Sequence, residues 1–306
     1  MHKKMKLKVK TALPIYLMML PGLIYLLFNN YIPIAGIFIA FKKLDWSKGI
    51  FGSQWTGFDN FTYLFKTKDA FIMTRNTVLY NVVFIILGIV CSVTVAILLN
   101  EIRGKLSKKL YQSLILLPYL MSMVVVSYLA YALLSNETGF INNTILKALG
   151  IQPISWYQEK NYWPVILTIV NIWKGVGFSS IVYLSTIVGI SPEYYEAARL
   201  DGAGKWQQIK RITLPLLLPV IITLFILSIG GMFRSDFGLF YLVPRNSGSL
   251  YSVTQTIDTY VYRALMTQGN ISMSSAAGVY QSVVGFILIL AANGLVKKFD
   301  KESSLF

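Results

Sequence analysis

An all-α membrane protein with six transmembrane helices is the fold class this sequence predicts. Three observations carry the prediction. Of its 306 residues, 55% are Ala, Val, Ile, Leu, Met, Phe, Trp, Tyr or Cys, the mean hydropathy is +0.58, and the apolar residues gather into six charge-poor runs. A soluble globule of this size needs a polar surface, and 13% Asp, Glu, Lys and Arg cannot supply one. A cytoplasmic enzyme and a nucleic-acid-binding domain are therefore excluded. Barrel strands need only about 10 alternating residues, whereas a hydrocarbon core of about 30 Å takes about 20 helical ones. One cysteine, Cys91, and one histidine, His2, leave no disulfide framework, cysteine zinc cluster, interior Ser/His/Asp triad or haem ligand pair. No metal or redox chemistry is expected.

The runs extend from Ala12 to Phe41, Val78 to Leu99, Leu114 to Leu134, Tyr162 to Ile190, Leu214 to Phe233 and Ala276 to Val296. The first is too long for one straight span and contains Pro14, Pro21 and Pro33, which predicts a helix from about Leu13 to Phe28 and an irregular exit. Five lysines precede it, but no small-x-small cleavage site follows, so a retained span is expected in place of a secretory signal. The segments read as a cytoplasmic basic tail (1–12), a first span with its external loop (13–75), a five-helix core (76–297) with a cytoplasmic loop (191–213) and an external loop (234–275), and a cytoplasmic tail (298–306). With the amino terminus inside, sixteen Lys and Arg fall in short cytoplasmic segments and eleven in longer external loops. The positive-inside rule thus places both termini in the cytoplasm and explains the net charge of +15 without a nucleic-acid partner. Anionic headgroups of the lipid bilayer are also attracted to this charge.

Between the fourth and fifth runs lies a loop longer than a connector requires. Ser191 followed by Pro192 is a helix start, Gly202 is a stop, and Asp201 is placed to cap a second helix, with Trp206, Ile209 and Ile212 or Thr213 on one stripe. Ala197 and Ala198 form a small patch flanked by the charges of Glu196, Arg199 and Asp201. Such a knob fits a cleft in another protein, and equally an interfacial helix pair resting on headgroups.

Glu196-Ala-Ala, then Gly202, then Ile212-x-Leu214-Pro215 resembles, spacing included, the EAA signature of the membrane subunits of binding-protein-dependent ABC importers. The six-run layout extends that resemblance from about residue 70 onward, and the first run and the 233–265 region look most like carbohydrate permeases of the maltose-transporter type, particularly a polysaccharide-uptake branch. The resemblance implies a type I ABC importer permease bundle in a bacterial plasma membrane. It implies a coupling helix at about 191–200 whose Glu196, Ala197, Ala198, Arg199, Asp201 and Gly202 engage a cytoplasmic ATP-binding subunit. It further implies a second homologous permease chain in a heterodimer, an extracytoplasmic solute-binding protein, and a carbohydrate substrate; an EAA-type permease for a peptide, ion or polyamine is the alternative. ATP and Mg are expected on the partner ATPase and no cofactor in this chain, because Gly204-Lys205-Trp206 lacks the remainder of a phosphate-binding loop. The chain is expected not to be an enzyme.

A secondary transporter would couple to ions through intramembrane carboxylates, yet none of the six runs contains Asp or Glu. A charge at mid-bilayer costs about 2.5 to 3.5 kcal/mol on insertion scales and avoids lipid. Lys174 is therefore a candidate for the substrate path, with Asn171 and Trp173 beside it and Gly175 and Gly177 thinning the backbone. A snorkelling or structurally paired lysine is the alternative. Tyr128 and Tyr131 in the third run, and Arg234 and Asp236 near the outer mouth, are further candidates, against ordinary packing for the tyrosines and mutual pairing for Arg234 and Asp236. Two cations at Lys174 and Arg234 would suit an acidic oligosaccharide.

Overall fold

The computed structural model describes residues 9–299; of the tails expected at 1–12 and 298–306, residues 1–8 and 300–306 lie outside the described residues. Helix α1 (Val9–Leu26) contains Pro14 and Pro21. Beyond it the chain stays helical but changes pitch, through a π turn at Leu27–Tyr31, an α turn at Ile32–Ile34 and a 3₁₀ segment at Ala35–Phe41. The exit is thus rewound and not irregular: Pro33 sits in the first turn of its short helix, where a missing N–H costs least. A short hairpin follows, β1 (Lys42–Lys43) against β2 (Gln54–Trp55), antiparallel with Lys42 opposite Trp55, and then α2 (Asp59–Lys66).

Helix α3 (Lys68–Glu101) is 34 residues long, about 50 Å at 1.5 Å per residue. It begins well before its apolar run, so the segment boundary drawn after residue 75 falls inside a helix, and the chain breaks at Thr67 instead. The third run is not one continuous span. It comprises α4 (Lys105–Leu120) and α5 (Met123–Leu134), which meet at 96°. Pro118 lies in the last turn of α4, and the Ser122 hydroxyl caps α5 by accepting from the Val125 N–H at 3.4 Å.

Further helices are α6 (Trp163–Val188), α7 (Pro192–Leu200), α8 (Lys205–Gln208), α9 (Leu214–Gly230), α10 (Ile257–Met266) and α11 (Ile271–Phe299), with shorter helical turns between them. Within the expected external loop, α10 starts at Ile257, because Thr256 is extended and its N–H donates to Thr259 Oγ1 at 2.9 Å. Among the described residues five helical runs are long and apolar enough to cross a membrane, six if the bent α4–α5 pair is one span.

Buried side chains form three clusters along α3. At its carboxyl end Val93, Ala96 and Leu99 pack against Tyr183, Leu184 and Ile187 of α6 and Leu217 of α9. Further back, Tyr80 joins Val126, Ala130, Trp163, Leu167 and Phe240. At the amino end Ala70 and Met73 meet Phe233, Tyr260 and Ala277. Lipid tails are as apolar as leucine, so such helices hold together through close packing and polar contacts. Gly177 shows the closeness: a Cβ there would overlap the carbonyl oxygen of Ile115 on α4.

Overpacking against backbone that cannot rotate aside costs about 1–3 kcal/mol. Gly177→Ala is expected to lower the melting temperature of the purified protein by several degrees. Gly175→Ala, where a Cβ meets nothing within 4 Å, is expected to leave it nearly unchanged; equal melting of the two variants would contradict the α4–α6 contact.

Candidate functional site

The loop after α6 is built by local capping. Pro192 occupies the first turn of α7, and the Ser191 hydroxyl accepts from the Glu193 N–H at 3.4 Å. At the other end Gly202 has φ +79°. Its N–H donates to the Arg199 carbonyl at 3.0 Å and that of Ala203 to the Ala198 carbonyl at 2.8 Å, the paired closure that a left-handed glycine permits. Asp201, expected to cap the second helix, instead ends the first. The second is capped at Gly204, whose N–H donates to Gln207 Oε1 at 2.8 Å.

A π turn at Ile209–Thr213 follows α8. Of the expected stripe Thr213 is buried and Ile209 and Ile212 are half-buried, whereas Trp206 is 71% exposed and Gln208 is buried in its place. Two contacts tie the loop to the bundle. The Tyr195 and Thr213 hydroxyls lie 3.0 Å apart, and the Lys205 ammonium meets Glu101, at the end of α3, at 2.7 Å. Glu196, Ala197 and Arg199 are exposed and Ala198 is half-buried. Beside them Tyr194 and Leu200 are exposed, Leu200 at 89%. Leu214 packs on the inner cluster, and Pro215 lies in the first turn of α9.

Lys174 lies against the break in the third span. Its ammonium donates to the carbonyls of Met121 at 2.8 Å, Tyr119 at 3.0 Å and Pro118 at 3.5 Å. Tyr119 is in the last turn of α4 and Met121 is its C-cap, where carbonyls lack intrahelical partners and a helix end favours a cation; the Pro118 carbonyl also accepts from the Met121 N–H at 3.2 Å. The Tyr119 ring stacks on Phe178 of α6 at 4.7 Å. Lys174 thus holds the elbow, and Trp173 is 42% exposed on another face.

A neighbouring face of α6 opens onto a cleft of about 490 Å³. Asn171, Gly175, Ser179 and Tyr183 line it from α6, Asn81, Gly88 and Ser92 from α3, and Ser228 from α9, with Gly231 following. Asn81 Nδ2 donates to the Thr77 carbonyl at 2.8 Å and to the Arg234 carbonyl at 3.0 Å, joining α3 to the end of α9. The Ser92 hydroxyl is buried with no partner in the protein. Amides, hydroxyls and small residues at membrane depth suit a hydroxylated solute. Of the residues singled out around Lys174, Asn171 and Gly175 reach this cleft. Asn81, Ser92 and Ser228 were missed, although Asn81/Gly88/Ser92 and Asn171/Gly175/Ser179 share one helical face at spacings of four and seven.

The other candidates lie elsewhere. Tyr128 is 64% exposed on α5, and the Arg245 guanidinium covers the Tyr131 ring at 4.2 Å. Arg234 and Asp236 do not pair: among the described residues the ion pairs are Lys48–Asp45 and Lys205–Glu101. Asp236 Oδ1 instead accepts from the Leu239 N–H at 3.0 Å, and Arg234 is exposed.

Residues 85–301 match the model of the binding-protein-dependent transport system inner membrane component family. The chain belongs to that family. This permease is 38% identical, over 98% of its length and 93% of the relative's, to the polygalacturonan/rhamnogalacturonan transport system permease protein YteP of Bacillus subtilis (strain 168). It superposes with a TM-score of 0.87 and 32% identity on a chain of a bacterial ABC transporter involved in the import of the acidic polysaccharide alginate, covering 95% of this chain and 98% of that one. A bacterial alginate ABC transporter in complex with an alginate pentasaccharide-bound periplasmic protein gives a TM-score of 0.87 at 31% identity, covering 98% and 99%. The chain is thus a plasma-membrane permease, an all-α bundle of the importer type.

Removing the Lys174 ammonium takes a cationic donor from the Tyr119 and Met121 carbonyls, and a hydrogen bond to a charged group contributes about 1.5–3 kcal/mol. In detergent with increasing SDS, Lys174→Met is expected to unfold earlier than wild type, with Lys174→Arg between them. Unfolding of the methionine variant at the wild-type midpoint would show that the elbow does not need the cation.

Proposed function

We propose that this permease forms half of the pathway of an ATP-driven importer for an oligo- or polysaccharide. In this reading both termini and α7 face the cytoplasm, α7 seats in an ATP-binding subunit, and a second homologous permease supplies the other half of the pathway. An extracytoplasmic binding protein delivers the sugar. The observation that carries the reading is α7 itself: a capped helix bearing Glu196-Ala-Ala with its outer face, Leu200 included, uncovered by its own bundle. The carbohydrate cargo is supported by the names of the relatives and by the amides and hydroxyls of the membrane cleft.

Nucleotide chemistry is assigned to the partner, which would hold ATP and Mg. The nearest resemblance to a phosphate loop in this chain does not fit, because Lys205 is engaged by Glu101 and Gly204 caps a helix of four residues. Coupling then follows from linkage. ATP binding closes the ATPase pair, closure moves α7, and the bundle exchanges inward-open for outward-open geometry while the binding protein releases cargo.

Glu196 is exposed, so reversing its charge should spare the fold and alter only the docking face. Glu196→Lys is expected to insert normally yet to copurify with less ATP-binding subunit and to lose most uptake. Wild-type assembly and uptake in that variant would refute the docking role.

A further inference from the structure

A second polar site lies outside the membrane cleft, where the backbone departs from ordinary geometry. Arg245 and Asn246 follow one another with φ of +54° and +48°, and two non-glycine residues hold a left-handed conformation only where their surroundings enforce it. Here they do. Asn246 Oδ1 accepts from Arg263 Nη1 and from the Tyr251 hydroxyl, both at 3.1 Å, and the Asn246 N–H donates to the Tyr241 carbonyl at 2.9 Å. The Ser247 hydroxyl donates to the Tyr157 carbonyl at 2.9 Å. Arg263 is 9% exposed, lies 4.1 Å over the Tyr251 ring, and directs its other donors to Gln255 Oε1 at 3.3 Å and Thr259 Oγ1 at 3.2 Å. A buried arginine thus fixes a strained turn.

That turn presents Arg245. Its guanidinium stacks on the Tyr131 ring at 4.2 Å, and among the described residues no carboxylate pairs with it. Stacking uses the face of a guanidinium and leaves its in-plane N–H fork open, the geometry that matches a carboxylate. The Tyr157 hydroxyl nearby is buried with no hydrogen-bond partner, an unfavourable state unless a ligand completes it. Burial raises the Tyr157 pKa to about 12 despite Arg245, so the phenol stays protonated. Tyr131, Tyr157, Arg245, Ser135, Asn136 and Gln158 border one pocket of about 310 Å³. Glu137, also at its edge, forms no ion pair with Arg245.

We propose that Arg245, Tyr131 and Tyr157 form an outer site for a carboxylate-bearing sugar residue, with the Arg245 fork on the carboxylate and the Tyr157 hydroxyl completing a hydrogen bond to the same sugar. The amides of Asn136 and Gln158 suit the sugar's hydroxyls. This inference rests on the carbohydrate reading above and narrows it to an acidic saccharide.

The test uses the complete transport complex with its binding protein in proteoliposomes. It reads ATPase stimulation by oligogalacturonate and oligoalginate, and by the same oligosaccharides with every carboxylate methyl-esterified. Arg245→Gln is expected to raise the half-saturating concentration of the acidic forms about tenfold and to leave the esters unchanged, with Arg245→Lys intermediate. Tyr157→Phe keeps the ring and removes an unpartnered hydroxyl, so it should raise the same concentration severalfold without lowering the melting temperature. Equal effects of Arg245→Gln on acids and esters, or no effect on either, would overturn the site. Weaker association of the unloaded binding protein in Arg245→Gln would make the arginine a protein contact and likewise overturn it. A wild-type complex stimulated by none of these saccharides rejects the carbohydrate reading itself, an outcome distinct from a site failure, in which wild-type stimulation is intact.

Discussion

The 96° break between α4 and α5 interrupts an apolar run, and backbone polar groups freed within such a run need partners in the protein. One side chain answers it. The Lys174 ammonium, on the neighbouring α6, bonds three carbonyls at the end of α4. A lysine that would be costly in lipid becomes the cation that a broken helix end requires. Ile115 against Gly177 and Tyr119 against Phe178 press the same helices together. Helix α6 therefore has two tasks on adjacent faces, holding the elbow with Lys174, Gly177 and Phe178 and lining the cleft with Asn171, Gly175 and Ser179.

The contacts of the loop after α6 acquire meaning from that arrangement. Lys205 grips Glu101 at the end of α3, and Tyr195 grips Thr213 at the entry to α9. Both helices are walls of the cleft. The loop after α6 is thus joined to two of the three walls, by the ion pair from α8 and the hydroxyl contact from α7; in the function proposed above, a displacement of α7 reaches the cleft through these contacts. The exposed ion pair contributes little stability; its value is positional.

What was legible in the sequence divides along physical lines. Spans follow from hydropathy, a property summed over many residues, and helix α7 follows from Ser191, Pro192 and Gly202, whose capping is local. The elbow was hidden because the apolar run continues through it, and the partners of Lys174 are distant in sequence. Its charge was conspicuous while its task was not. The expected stripe failed at Trp206, in whose place Gln208 is buried, and Asp201 was displaced by a closure that only Gly202 could make. Cleft residues such as Ser92 and Ser228 carry weak signals singly, since serines in apolar runs commonly bond their own helix, as Ser228 does with the Leu224 carbonyl at 2.7 Å.

In the function proposed above, solute passes through the cleft between α3, α6 and α9. With Cys91 as the single native cysteine, Ser228→Cys in a Cys91→Ser background isolates one reporter on its wall. The decisive measurement is the rate at which a membrane-impermeant thiol reagent modifies that cysteine in the assembled transporter. The account predicts modification that depends on nucleotide state and is slowed by transported cargo. A cysteine that never reacts, or reacts at one rate regardless of nucleotide and cargo, would contradict it.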